Sequence, residues 1–279
     1  MRLNPWSAAF LLGVPVAFLF IFFLVPFGTV AVTSFRMPDG TWSAANYLKI
    51  GTDSYYWGAL FLTFKIALWV TLIVLVVGYP LAYTITYNVR SALLRRLIYL
   101  VIVTPLFTSS IVRAFGWLVL LGRKGMVNET LIALDFVDKP VQILFTEGGI
   151  VIGMAYIMLP FMVLTITSVL QNINTSLLEA ARDLGANPIM AFLKVTFPLS
   201  LPGVVAGSLI VFTLSVSAYV TPSILSGGKK TVMSMLIYQQ YASTLNFPFG
   251  ATLAVALLVA TLLLIASYLV VLERHAKTE

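Results

Sequence analysis

Long apolar runs alternate along the chain with short polar segments, and six of them reach roughly 20 residues or more. They fall at about 8–32, 59–87, 97–121, 148–170, 203–225 and 248–272. At about 1.5 Å of rise per helical residue, each crosses the hydrocarbon of a bilayer. A segment in hydrocarbon must satisfy its own backbone groups, and runs of this length exceed a barrel strand, so the pattern predicts helices. The expected fold class is all-α, an integral membrane protein with six transmembrane helices. An even number of spans places both termini on one side. The first run is longer than a signal-peptide core and has no clear small-x-small cleavage site, so it reads as a retained helix.

Composition agrees with this pattern. A chain that is 60% hydrophobic and 10% charged, with mean hydropathy +1.00, has too little polar surface for an ordinary water-soluble exterior. No linker, low-complexity tract or solenoid-period repeat divides it, so a single domain over residues 1–279 is expected. The net charge of +7 is spread over the loops rather than gathered in a stripe, which gives no reason to expect nucleic acid. Charge alone orients the spans weakly. Arg2, Arg90, Arg95, Arg96, Arg182, Lys194, Arg274 and Lys277 share one side, and Arg36, Lys49, Arg123, Lys124, Lys139, Lys229 and Lys230 share the other. The compact group Arg90, Arg95 and Arg96, in a short loop, marks its side as the inner one.

Residues that carry chemistry are scarce. There are no cysteines, hence no disulfide or thiolate site, and the lone histidine, His275, lies in the charged tail. Neither a histidine-based metal site nor a serine-histidine pair can be assembled, and the expectation is a non-enzyme without a metal. The segment SGGKKT from Ser226 lacks the spacing of a phosphate loop and any preceding strand, and it reads as a plain loop. Asn128-Glu129-Thr130 matches a glycosylation pattern by chance. Inside the six runs the ionisable side chains are Lys65 and Arg113, and no Asp or Glu falls there. Lys65, near the start of its run, is expected to snorkel toward the interface. Arg113 either snorkels or serves a path, with Thr108, Ser109, Ser110 and Trp117 around it. Tyr156 and Tyr219 are weaker aromatic candidates for the same path.

One polar island stands out, EAARDLGANPIMAFLKVTFP from Glu179 to Pro198. Ser176 and Glu179 have capping-box spacing, Gly185 suits a left-handed helix end, and Asn187-Pro188 reads as the cap and first residue of a second helix. Pro198 and Pro202 are expected to punctuate the return to the membrane. Taken singly these are ordinary turn and helix residues. Together, Glu179, Ala180, Ala181 and Gly185 followed by Val195, Phe197 and Pro198 resemble the EAA loop of binding-protein-dependent ABC importers. Val195 and Phe197 stand where that pattern more often has Ile and Leu. The segments TPLFTSSIVRAFGW from Thr104, MLPFMVL from Met158 and PLSLPGVVAGSLIVF from Pro198 look like the spermidine/putrescine-type permeases.

The resemblance implies a six-helix permease fold of the type I importers, as in methionine importers, in a bacterial plasma (inner) membrane with both termini cytoplasmic. It implies a cytoplasmic coupling loop over 171–202, in which Glu179, Ala180, Ala181, Asp183, Gly185 and Pro198 meet an ATPase. Expected partners are a second permease subunit in a heterodimer, two cytoplasmic ATPase subunits, an extracytoplasmic substrate-binding protein and membrane lipid. No cofactor belongs to this chain, and ATP and Mg are bound by the ATPase, in keeping with the missing Walker motif. A polyamine is the leading substrate expectation by resemblance. The acid-free spans count against it, and opines, amino-acid-like compounds or phosphonates are the alternatives. A secondary transporter or channel, the reading from another class, would need coupling-ion or filter residues that are not evident.

Overall fold

The computed structural model describes residues 5–276, with side chains from 11 to 270. Arg2 and Lys277, and the side chains of Arg274 and His275, lie outside the described residues. Among the described residues five helices are long and apolar enough to span a bilayer: α1 Leu11–Thr33, α3 Ser54–Asn88, α7 Glu147–Gln171, α9 Pro188–Ser217 and α12, which runs Phe247–Ala276. A sixth apolar segment is broken. Its halves, α4 Ala92–Phe107 and α5 Ser110–Leu120, meet at 102°. Short helices fill the connections: α2 Ala45–Thr52, α6 Met126–Ala133, α8 Thr175–Asp183, α10 Val220–Leu225 and α11 Met233–Ala242. Among the described residues the only β pairing is an isolated bridge between Arg36 and Trp42.

Two expected spans differ in form. The third was expected as one helix over 97–121, but its chain tightens into a 3-10 turn at Thr104–Phe107, passes extended through Thr108, and restarts at Ser110. Pro105 and the polar Thr108-Ser109-Ser110 run supply the cause, because proline removes a donor and hydroxyl side chains compete for backbone partners. The fifth was expected over 203–225 and instead occupies 188–217. Pro198 and Pro202 do not interrupt it. A π-type turn over Phe192–Thr196 widens the backbone where the carbonyl of Lys194 would otherwise meet the Pro198 ring. Helix α9 ends where Ala218 becomes extended, so Tyr219 lies in the break before α10.

The chain divides into two compact units. One holds the residues up to Leu60 together with those from Met233 onward. There the Thr252 hydroxyl donates to the Ser34 carbonyl at 2.9 Å and the Tyr47 hydroxyl donates to Ser34 Oγ at 2.7 Å. The Phe249 ring meets Tyr56 edge-on at 5.5 Å and lies under Lys49.

The other unit covers Phe61–Val232 and contains the island. Its centre is α7, which runs parallel to α3 in constant register. Lys65 pairs with Glu147, Gly78 faces Met162, and the Tyr87 hydroxyl donates to the Leu170 carbonyl in the last turn of α7 at 3.2 Å. Helix α9 packs on another side of α7 through a small-residue seam. A Cβ at Gly203 would stand 2.9 Å from Val169, and one at Gly207 would stand 2.8 Å from Met162 Sδ. Bilayer helices gain little from the hydrophobic effect, so this close approach and its dispersion contacts supply much of the association.

Adding bulk to the seam should unfold the unit selectively. Gly203→Leu or Gly207→Leu should lower the thermal midpoint of the purified protein by on the order of 5 °C, as overpacking of about 1–3 kcal/mol would. Gly58→Ala, with no atom near its new Cβ, should be close to neutral. Unchanged midpoints for both leucine variants would contradict the seam.

Candidate functional site

The island begins with α8, whose cap is Asn174. Its side chain accepts from the Ser176 N–H at 3.0 Å, and the helix starts at Thr175. The expected Ser176–Glu179 capping box is therefore replaced, because an asparagine two residues earlier already holds the helix start. Glu179 is left exposed. The helix ends in a Schellman motif: Gly185 N–H donates to Arg182 and Ala186 N–H to Ala181, both at 2.9 Å. Gly185 has φ +84°, where a side chain is strained. The Asn187 side chain then accepts from Met190 N–H at 2.8 Å with Pro188 in the first turn, which starts α9 as expected.

This construction leaves a mixed surface. Glu179, Ala180, Asp183 and Gly185 are exposed, and Ala181 is half-buried. Glu179 and Asp183 are one helical turn apart, and neither forms an ion pair among the described residues. Beside them Leu184 is 90% exposed and Ile189 is 70% exposed. Leucine and isoleucine thus stand uncovered beside unpaired carboxylates.

The island is fixed to the membrane helices by aromatic rings that sequence reasoning missed. Tyr79 and Tyr83, one turn apart on α3, hold Phe192 edge-on at 5.9 and 5.4 Å, and Tyr79 also touches Phe197. The hydroxyls of Tyr79 and Ser200 share a 2.7 Å hydrogen bond, and Ser200 donates to the Phe197 carbonyl. Pro198 is exposed within this helix. The repeat of tyrosines at 79, 83 and 87 was the available signal.

The path candidates separate into two groups. Arg113 donates to the Pro105 carbonyl and to Ser110 Oγ, bracing the break between α4 and α5, while its buried Nε has no partner. Thr108 and Ser109 lie exposed in the break itself. Trp117 does not stack on Arg113. Its ring meets Tyr156 of α7 edge-on at 5.6 Å, beside Gly153, against which α10 packs through Thr221 and Leu225. Tyr219 lies in the break after α9.

Lys65 does not merely snorkel. Its ammonium lies 2.8 Å from Glu147 Oε2, and Lys230 lies 2.9 Å from Glu147 Oε1. Glu147 occupies the first turn of α7, where the helix dipole favours an anion. The SGGKKT segment is a loop that clips this end of α7. Phe145 N–H donates to the Leu225 carbonyl at 3.1 Å, Lys229 lies over the Phe145 ring, and Gly227 is pressed against that ring. Glu147 falls one residue before the fourth apolar run, and Lys230 lies in a loop, so a count of charges within runs passed over both.

The chain resembles known proteins over most of its length. The family described as binding-protein-dependent transport system inner membrane component matches residues 75–275. The spermidine/putrescine transport system permease protein PotB of Escherichia coli is 32% identical over 262 residues, covering 91% of this chain and 93% of that protein. Its Haemophilus influenzae counterpart is 34% identical over 261 residues, covering 90% and 89%. Among solved structures, a chain of a bacterial ABC transporter involved in alginate import superposes with TM-score 0.77 at 16% identity, covering 96% of both chains. One from the MetNI methionine ABC transporter gives TM-score 0.51 at 21% identity, covering 76% of this chain and 89% of that one. The chain belongs to the family of binding-protein-dependent transport system inner membrane components, and is a multi-pass inner-membrane protein with the fold of ABC importer permeases.

Proposed function

We propose that the chain is the permease subunit of an ATP-driven polyamine importer, lining half of a path completed by a second permease subunit. The observation that carries this is the island: a rigidly capped α8 with exposed Glu179 and Asp183, continuous through α9 with the membrane core. Two cytoplasmic ATPase subunits bind ATP and Mg, and an extracytoplasmic binding protein delivers the solute. Both termini and residues 171–202 face the cytoplasm. Closure of the ATPase dimer pushes α8, and α9 carries the displacement to α3 and α7, so the pair alternates between inward and outward openings.

The two relatives named for spermidine and putrescine support the polyamine. Trp117 offers an aromatic face to an ammonium group, and acids for the remaining charges come from the partner permease or the binding protein. The one positive charge left over where Lys65 and Lys230 share Glu147, together with the acid-free apolar runs, favours an anion-bearing solute, such as a phosphonate. Reconstituted assemblies separate the readings. Hydrolysis and uptake should rise with the binding protein and spermidine, and stimulation by a phosphonate alone would replace the polyamine reading.

Two variants test the coupling. Gly185→Val and Glu179→Lys should insert normally, yet either lose the ATPase on purification or keep it with little substrate-stimulated hydrolysis. Lys194→Ala and His275→Ala should transport nearly normally. Wild-type hydrolysis and uptake in both coupling variants would remove the main support for the reading. A cysteine at Asn187, in a chain that otherwise has none, should resist an impermeant reagent applied to intact cells. Labelling from outside would reverse the orientation.

Arg113→Ala should lower uptake severalfold while complex yield stays intact, because its charge serves the break in a span rather than subunit assembly. Normal uptake would leave Arg113 as a structural brace of the break.

A further inference from the structure

An apolar groove of about 520 Å³ opens beside α4. It is lined by Leu97, Ile98, Val101 and Ile102 of α4, Leu81 of α3 and Tyr156 of α7. A protein helix with its side chains is about 10–12 Å across, so this space takes only about one turn of one. A single hydrocarbon chain is a narrower occupant, and the surrounding solvent of this protein is lipid.

Two arginines near the start of α4, next to the groove lining though not part of it, narrow the choice further. Arg95 lies at the edge of the groove-lining stripe, three residues before Ile98 and seven before Ile102, and helical side chains lean toward the N-terminus of their helix. Arg95 thus stands within about one turn of the Ser91 cap, at the end of the stripe nearest the start of α4. Arg90 stands just before the Ser91 cap of that helix. Neither arginine forms an ion pair among the described residues. Arg96, by contrast, falls on the opposite face of α4 from the stripe.

We propose that this groove is a binding site for an anionic phospholipid, with one acyl chain along α4 and the phosphate at Arg95 and Arg90. Apolar burial retains the chain, and the two arginines select a negative headgroup over a zwitterionic one. The site is separate from the exposed face of α8 and does not depend on which solute is carried.

Native mass spectrometry of the assembly purified from bacterial membranes tests this, with dioleoyl phosphatidylglycerol and dioleoyl phosphatidylcholine added in parallel. The wild type should retain phosphatidylglycerol in preference. Arg95→Gln should weaken phosphatidylglycerol roughly fivefold, the effect of one basic group near a headgroup, and leave phosphatidylcholine unchanged. Arg96→Gln should change neither. Val101→Trp should weaken both lipids by filling the groove, and because Val101 is 69% exposed the substitution does not disturb the core. Leu97→Trp, at another half-exposed groove position, repeats the test if that variant fails to assemble. Equal effects of Arg95→Gln and Arg96→Gln would reduce the preference to diffuse surface charge and overturn the site. Unchanged lipid retention in the tryptophan variants would do so as well, and loss of a partner subunit with lipid retained would make the groove a subunit joint.

Discussion

Met162 is fully buried between two glycines, Gly78 on α3 and Gly207 on α9, and the arrangement of the larger unit depends on that contact. In a bilayer, helices do not associate to escape water, so their spacing is set by how closely backbones approach and how well side chains interdigitate. Gly203 continues the seam one turn along α9, against Val169 and Ile166. The ends of α7 are then held by polar contacts, Lys65 to Glu147 at one and Tyr87 to the Leu170 carbonyl at the other. Helices α3, α7 and α9 consequently form one packed body.

This packing supports the mechanical role proposed for the island. A loop that changes direction at Gly185 would dissipate a push if it hung from the membrane by flexible chain. Here the Schellman turn closes α8, Asn187 immediately caps α9, and α9 runs unbroken into the seam. The aromatic cluster of Tyr79, Tyr83, Phe192 and Phe197 braces α9 against α3 where the helix widens into its π-type turn. In the proposed coupling, force applied at α8 would reach the core through packed contacts that keep their arrangement and so pass a displacement on.

Local features were legible in the sequence and long-range ones were not. Gly185 and Asn187-Pro188 announced their turn and cap because those conformations are set within a few residues. Ser176 lost the cap to Asn174 since both were chemically suited, and spacing alone does not rank them. Pro198 read as a breaker, because nothing in one dimension shows that a π-type turn accommodates it. The break at Thr108 was hidden by apolar residues on both sides of Pro105, which make two half-helices look like one span. At the candidate site, Tyr79 and Ser200 meet across 121 positions, and Glu147 and Lys230 across 83, separations at which no pattern in a single chain reveals partners.

The central claim is that the island and the core of the unit move together. Spin labels at Asn88, the end of α3, and at Asn187, the start of α9, report it directly, since the native chain has no cysteine to compete for labelling. Their separation should form one narrow distribution by double electron–electron resonance. That distribution should be the same in the nucleotide-free and ATP-trapped assemblies, even as transport proceeds between them. A shift or a second population on adding ATP would show that the island moves independently of α3 and would contradict the account.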